Sequence, residues 1–496
     1  MGKGKPIFYN ALLLTGVNLM LRFAGTGFQV YLSGRIGAEG IGLLQLVLSV
    51  GSLALTVGMG GIRTATMYLC AEVVGQKRPD RMGGVLSGCI LYSIAFSTAT
   101  GFLLYQFAPL LAKLWIGTPA VFPAIRLFAG LLPVSCLTGV MVGYYTGINR
   151  IGTLACVEVA EQVCSMTATV LLLTFWAGTN PIRACEAVIL GSGTGTCMTL
   201  LVLAALKHRR KEPGNERIPM GKKLRETAVP LAVAVTAKAG ISTTENLMVP
   251  KRLALYAGSV SPLADFGTVC GMVFPVLMFP AAILYGLAEL LIPEMARCNA
   301  AGSSARIRHL SERSLLLALI YGCFCGGLLF LQAQPLCMRL YHSHQAGQYL
   351  RWFAVLAPML YCDAITDAMT KGLGQQKICV RNNIITSALD VVLLFILLPH
   401  YGMRGYFFSF LVTHLLNFLL SIWLLRKLVG KIIPLRTAFF CVLATALAVA
   451  AAAFVRSGSF VCLCFSLLFG ALLVLLGVVK RADLAWLKGL VLPNIV

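Results

Sequence analysis

The chain has 496 residues, of which 58% are hydrophobic and 12% charged, more apolar material than a water-soluble domain of this length needs for its core. Its 41 Lys and Arg against 18 Asp and Glu give a net charge of +23, yet the bases sit at the ends of long apolar runs, which argues against a nucleic-acid surface. What remains is an all-α polytopic membrane protein.

Fourteen apolar runs of about 20 residues or more are each long enough to cross a hydrocarbon core of about 30 Å. They predict spans over 9–33, 41–70, 84–108, 121–146, 152–176, 184–206, 227–249, 265–290, 314–333, 349–370, 378–398, 404–425, 435–455 and 460–479. The first is too long, and lacks the small-residue cleavage site, for a removed signal peptide. Its middle, "LMLRFAGTGF", carries Arg22 thirteen residues in, about 20 Å from the helix end, too deep for easy snorkelling. Such a charge costs about 2.5–3.5 kcal/mol to insert, so it should face the bundle interior or water. It holds either an anionic ligand or, for packing alone, a carboxylate or helix-end carbonyls. Span 2 brings Arg63 in "GGIRTA", which either shares that role or reaches the interface.

Glu158 and Glu161 lie three apart in span 5. The longest polar interruption, Lys207 to Glu226, then reads as a linker between halves. Span 7 carries Lys238 in "VTAKAG" at a depth like that of Arg22, and Glu245 two turns further along the same face, where it could tune that lysine. Pro275 and Pro280 in span 8, Pro133 in span 4 and Pro358 in span 10 are expected kinks. Asp363 and Asp367 share one face of span 10, and Asp390 lies mid-way in span 11. These acids form either a proton or sodium relay or ion pairs with the bases, the glutamates being open to simple interfacial placement as well.

"FAGLLP" at 128–133 returns as "FAVLAP" at 353–358, an offset of 225 that also relates Gly147 to Gly372 and Gly42 to Gly267. Six spans return the chain to its starting side, so the halves are parallel repeats, two six-helix bundles followed by two further helices. The expected divisions are an N-terminal bundle over 1–206, a basic linker over 207–226, a C-terminal bundle over 227–430, and spans 13 and 14 with a tail over 431–496. Numbering the loops alternately gathers Lys77, Arg78 and Arg81, the run Lys207 to Arg225, Arg297, Arg306 and Arg308, and Arg426 to Arg436 on one side, which predicts that both termini are cytoplasmic. The seventeen cysteines, spaced as in "CFC" and "CLC", lack zinc-site geometry and read as small apolar residues. With no GxSxG, HExxH or Walker loop, the sequence points to no enzyme, no metal site and no cofactor, leaving H+, Na+ or the membrane potential as drive.

Arg22 in helix 1, "GAEGIGLLQL" at 37–46, "GGI" at 60–62 followed by Ala71 and Glu72, and "GINR" before "VEVAEQV" together resemble the family of stage V sporulation protein B and related polysaccharide-biosynthesis membrane proteins. That family lies within the multidrug, oligosaccharidyl-lipid and polysaccharide exporter superfamily. The likeness runs over nearly the whole chain and is densest over 10–165. It implies a flippase for undecaprenyl-pyrophosphate-linked sugars, related to the lipid II flippases, in the bacterial plasma membrane. It also implies pyrophosphate-binding arginines in helices 1, 2 and 8 and a lipid-tail groove at helices 13 and 14. Arg22 matches the helix-1 arginine, Arg63 lies in the right helix, and a second helix-1 arginine of the family falls on Gln29. Helix 8 has no arginine before Arg297, and Lys238 is the candidate substitute. The expected partners are a lipid-linked sugar and membrane lipids, with a monomer as the expected state and cell-wall synthesis enzymes as candidate associates. Two other functions are a cation-coupled multidrug exporter of the same superfamily and a non-transporting scaffold for cell-wall or spore-coat assembly.

Overall fold

The computed structural model describes residues 4–76, 78–178, 180–208, 220–430, 432, 435–454 and 458–478. Most of the basic linker, the C-terminal tail and the first three residues lie outside these. Among the described residues there are helices and no strand. In chain order they are α1 (Gly4–Met59), α2 (Ile62–Gly75), α3 (Met82–Leu111), α4 (Phe122–Gly147), α5 (Ile151–Leu172), α6 (Pro181–His208), α7 (Met220–Leu253), α8 (Pro262–Thr268) and α9 (Phe274–Met278). They continue with α10 (Ala281–Ala300), α11 (Ser304–Tyr341), α12 (His344–Ala354), α13 (Ala357–Gly372), α14 (Gln376–Tyr401), α15 (Met403–Val429), α16 (Leu435–Ala452) and α17 (Gly458–Leu475).

Eight helical segments among these are long and apolar enough to cross a membrane, or nine when Pro262–Met278 and Ala281–Ala300, bent by 63°, are taken as one broken span. Two more apolar helices, Arg436–Ala452 and Phe460–Leu475, are shorter. The other predicted spans correspond to more polar or interrupted helices. In α7 the run Ser242–Asn246 lowers the hydropathy, and span 10 is divided into α12 and α13.

Two boundaries differ from the sequence reading. Spans 1 and 2 are joined without a loop, because between them only Gly37 leaves helical geometry (φ 71°, ψ 177°), a conformation open to glycine. Span 2 is instead broken near its far end, where Gly60 and Gly61 take positive φ (48° and 72°) and α2 starts afresh. The prolines also diverge. Span 8 bends at Pro280, but Pro133 lies inside an uninterrupted α4, while its repeat mate Pro358 opens α13, where a missing N–H costs nothing.

Residues Met1–Gly271 with Asp390–Tyr406 form one compact unit, and Met272–Leu389 with Phe407–Val496 form a second. The offset of 225 recurs in their packing. In the first unit a Cβ on Gly147 would lie 2.7 Å from the carbonyl oxygen of Met67 and 2.8 Å from Cβ of Cys70. In the second, Gly372 stands in the same relation, at the same 2.7 and 2.8 Å, to Ile292 and Met295. Likewise Gly101 faces the carbonyl of Ala129, and Gly326 that of Ala354, each at 2.9 Å. Every residue here has its mate 225 positions on, so the repeat is one of contacts as well as letters.

One contact is reciprocal. Within the first unit, a Cβ on Gly42 would fall on the carbonyl oxygen of Leu263, and one on Gly267 would fall on that of Ala38. Residues 38 and 263 are themselves repeat mates, so α1 and α8 meet as a pseudo-two-fold pair, glycine against backbone on both sides. In the second unit α16 and α17 pack on α11, with Phe465 filling the space beside Gly327 and stacking near Phe324 and Phe469.

Candidate functional site

Inside the first unit, α1, α2, α4, α5 and α6 enclose a cavity of about 630 Å³. Arg63 reaches it from the first turn of α2, directly after the glycine break. Its backbone is pinned by α4, where Gly139 and Gly143, one turn apart, leave room: a Cβ on Gly143 would strike the carbonyl of Arg63. Glu158, Glu161 and Gln162 enter from α5. Glu161 is held by α6, accepting from Thr199 Oγ1 at 2.9 Å and Thr196 Oγ1 at 3.3 Å, and Gly195 permits that approach. Glu158 interacts electrostatically with both Arg63 and Glu161. Ser135, Thr138, Ser165 and Ser192 add hydroxyl oxygens to the wall. The cavity thus offers one guanidinium, two carboxyl groups and a sugar-like density of hydroxyls. Three residues singled out from the sequence, Arg63, Glu158 and Glu161, meet here.

The other site residues are distributed as follows. Arg22 is exposed on α1 and Lys238 is exposed on α7. Gln29 donates from Nε2 to the carbonyl of Gly271 at 3.2 Å, so its amide ties α1 to the turn after α8. On α7, Thr243 and Asn246 dock on Ser49, through its carbonyl at 3.2 Å and its hydroxyl at 3.0 Å. Glu245 between them hydrogen-bonds to Asp390, which is 5% exposed. Tyr406 interacts with both carboxyls and hydrogen-bonds to Cys270.

In the second unit Asp363 accepts from Asn417 Nδ2 at 2.9 Å and hydrogen-bonds to Ser421, while Asp363 Oδ1 and Asn417 Oδ1 are buried with no hydrogen-bond partner among the described residues. Asp367 pairs with Lys371 at 2.5 Å, the ion-pair alternative of the sequence reading. Sequence reasoning did not single out Thr196, Thr199, Tyr406, Asn417 or Ser421. The signal was there for the last two, polar residues one turn apart in an apolar helix.

The MatE family model matches residues 15–171. Stage V sporulation protein B of Bacillus subtilis (strain 168) is similar, at 22% identity over 406 residues, 79% of this chain and 78% of the relative. Among solved structures, the lipid II flippase MurJ in an inward closed conformation aligns with a TM-score of 0.70 at 13% identity, covering 96% of this chain and 100% of MurJ. The chain is thus similar to members of the multidrug, oligosaccharidyl-lipid and polysaccharide exporter superfamily. An inward-facing multidrug-resistance MATE transporter of that superfamily aligns with a TM-score of 0.66 at 14% identity, over 89% of this chain and 98% of the transporter. The chain shares the fold of these transporters and has several helices long and apolar enough to cross a membrane, and the MatE match takes in Arg22, Arg63, Glu158 and Glu161.

Proposed function

We propose that this exporter flips an undecaprenyl-pyrophosphate-linked saccharide from the cytoplasmic to the outer leaflet of a bacterial plasma membrane by alternating access, with both termini cytoplasmic. The observation that carries this reading is the accessibility of three cations. Arg22 and Arg63 lie inside a membrane-spanning segment and Lys238 in α7; all three are exposed, Arg63 on the cavity wall, and the cost of leaving a charge among acyl chains supports a polar or anionic ligand as what they meet. Guanidinium groups suit the paired oxygens of a pyrophosphate, and an ammonium adds a point charge. The similarity to stage V sporulation protein B and to a lipid II flippase supports a cell-wall or spore-wall precursor as cargo. A cation gradient or the membrane potential resets the carrier, with Glu245–Asp390 and Asp363 as the exchangeable acids.

The test is reconstitution in liposomes with labelled lipid II and, separately, a lipid-linked sugar lacking the pyrophosphate. Arg22→Ala and Lys238→Ala, inserted at wild-type levels, are expected each to abolish export of the pyrophosphate-bearing lipid. Undiminished export by both variants rejects the reading.

The cavity's two carboxyl groups against one guanidinium favour a second reading, a cation-coupled drug exporter like the MATE relative. Such a protein confers resistance on a susceptible host, and Asp363→Asn and Asp390→Asn remove it. Absence of resistance with the wild-type chain rules it out.

A further inference from the structure

The cavity inside the first unit holds charges of both signs. Along α5, Glu158, Glu161, Gln162 and Ser165 recur at intervals of three and four, so one face of the helix gives the chamber two carboxyl groups and two neutral hydrogen-bonding groups. Arg63 enters from α2. The Thr196 and Thr199 hydroxyls fix Glu161, and Glu158 feels the charge of Arg63, yet among the described residues no ion pair or hydrogen bond joins the guanidinium to either glutamate. Opposite charges that line one chamber without closing on each other are available to a ligand.

The internal repeat separates these charges from the packing. The mates of Arg63, Glu158 and Glu161, 225 positions on, are Ala288, Asn383 and Thr386, so none of the three charges recurs at the corresponding place in the second half. The equivalent helices nevertheless meet at the same distances there, Gly372 on Ile292 as Gly147 on Met67. Helix packing therefore does not require the charges.

The charge pattern also selects among ligands. A diphosphate here would bring its negative charge beside two carboxyl groups, and a purely cationic ligand would face Arg63. A zwitterion satisfies both signs at once. A carboxylate matches the guanidinium fork, an ammonium matches the glutamates, and about 630 Å³ falls within the range of about 300–1,000 Å³ usual for small-molecule sites. We propose that this cavity binds an amino-acid or short-peptide zwitterion, its carboxylate on Arg63 and its ammonium between Glu158 and Glu161, with Gln162, Ser135 and Ser192 meeting its amides. Arg22 and Lys238 do not line this chamber, so the assignment goes beyond the lipid-linked reading and does not rest on it. The zwitterion is either free in solution or a peptide carried on the head group of the cargo.

The test uses the full-length protein in phosphatidylcholine nanodiscs and calorimetric titration with alanyl-alanine and tetra-alanine. Blocking the ammonium by N-acetylation, or the carboxylate by amidation, is expected to weaken binding at least tenfold. Glu161→Gln, whose amide oxygen still accepts from Thr196 and Thr199, should weaken binding of the free peptide about tenfold and leave the N-acetyl peptide unchanged; Arg63→Gln should do the same for the free and amidated peptides. Liposome export of a polyprenyl-pyrophosphoryl disaccharide with and without an attached peptide then identifies the source. Slower export of the peptide-free lipid assigns the zwitterion to the cargo, whereas equal export, with uptake of labelled dialanine, assigns it to a free solute. Absence of binding by both peptides at millimolar concentration to the monodisperse protein, or binding indifferent to both blocking groups, overturns the proposal, and export of either lipid in that case leaves the flippase reading standing. Charge-dependent peptide binding in a protein that exports neither lipid upholds this site and rejects the flippase.

Discussion

Gly267→Leu is expected to remove nearly all folded protein from the membrane fraction, and Gly42→Leu to do the same. At both positions the obstruction is a backbone carbonyl, of Ala38 and Leu263 respectively, which cannot rotate aside as a side chain would. Overpacking a core where side chains can adjust costs about 1–3 kcal/mol, so a clash against main chain at a helix crossing takes at least the upper part of that range. Against a total stability of about 5–15 kcal/mol, that is a large share. Gly25→Ala and Gly27→Ala are the matched controls, since a Cβ at either meets nothing within 4 Å and alanine is the better helix former. Size-exclusion profiles and melting of the detergent-solubilised variants check the contrast. A monodisperse, wild-type-like Gly267→Leu would show that α1 and α8 do not depend on this contact.

The second large effect is expected at Asp390, and it separates folding from transport. Asp390→Ala leaves the Glu245 carboxyl buried without its hydrogen-bonding partner, at a cost of about 1–3 kcal/mol. Asp390→Asn keeps an amide in the same place, so the variant should melt close to the wild type. An amide cannot take up a proton or a cation as a carboxylate does, so gradient-driven export should fall to background. Export by Asp390→Asn at the wild-type rate under an imposed gradient would remove this pair from the coupling path.

Much of this architecture can be read from the letters. Hydropathy marks the helices, and an offset found in "FAGLLP" and "FAVLAP" reappears as matched contacts at Gly147 and Gly372. Segment ends are harder, because a helix boundary depends on single residues. Gly37 bends α1 without ending it, while Gly60 and Gly61 end it inside a run that hydropathy treats as continuous. Proline is equally dependent on context, as Pro133 and Pro358 show.

The charged residues were visible as isolated polar letters, but their partners were not. Spacing along α7 suggests Glu245 as a neighbour of Lys238, whereas its hydrogen bond to Asp390 spans 145 positions of sequence and follows from how α7 docks on Ser49. Glu161 is similar: nothing local announces that Thr196 and Thr199 will hold it. Local periodicity gives the face a side chain occupies; only the packed helices give what that face meets.

The mirrored glycine contact between α1 and α8 has a bearing on ancestry. A half-length protein whose two copies associated about a dyad would bury this same patch twice, each copy presenting its glycine to the other's main chain. Joining the two copies in tandem preserves the seam but releases each side to diverge. A duplicated half is thus written into the spacing of 225 residues.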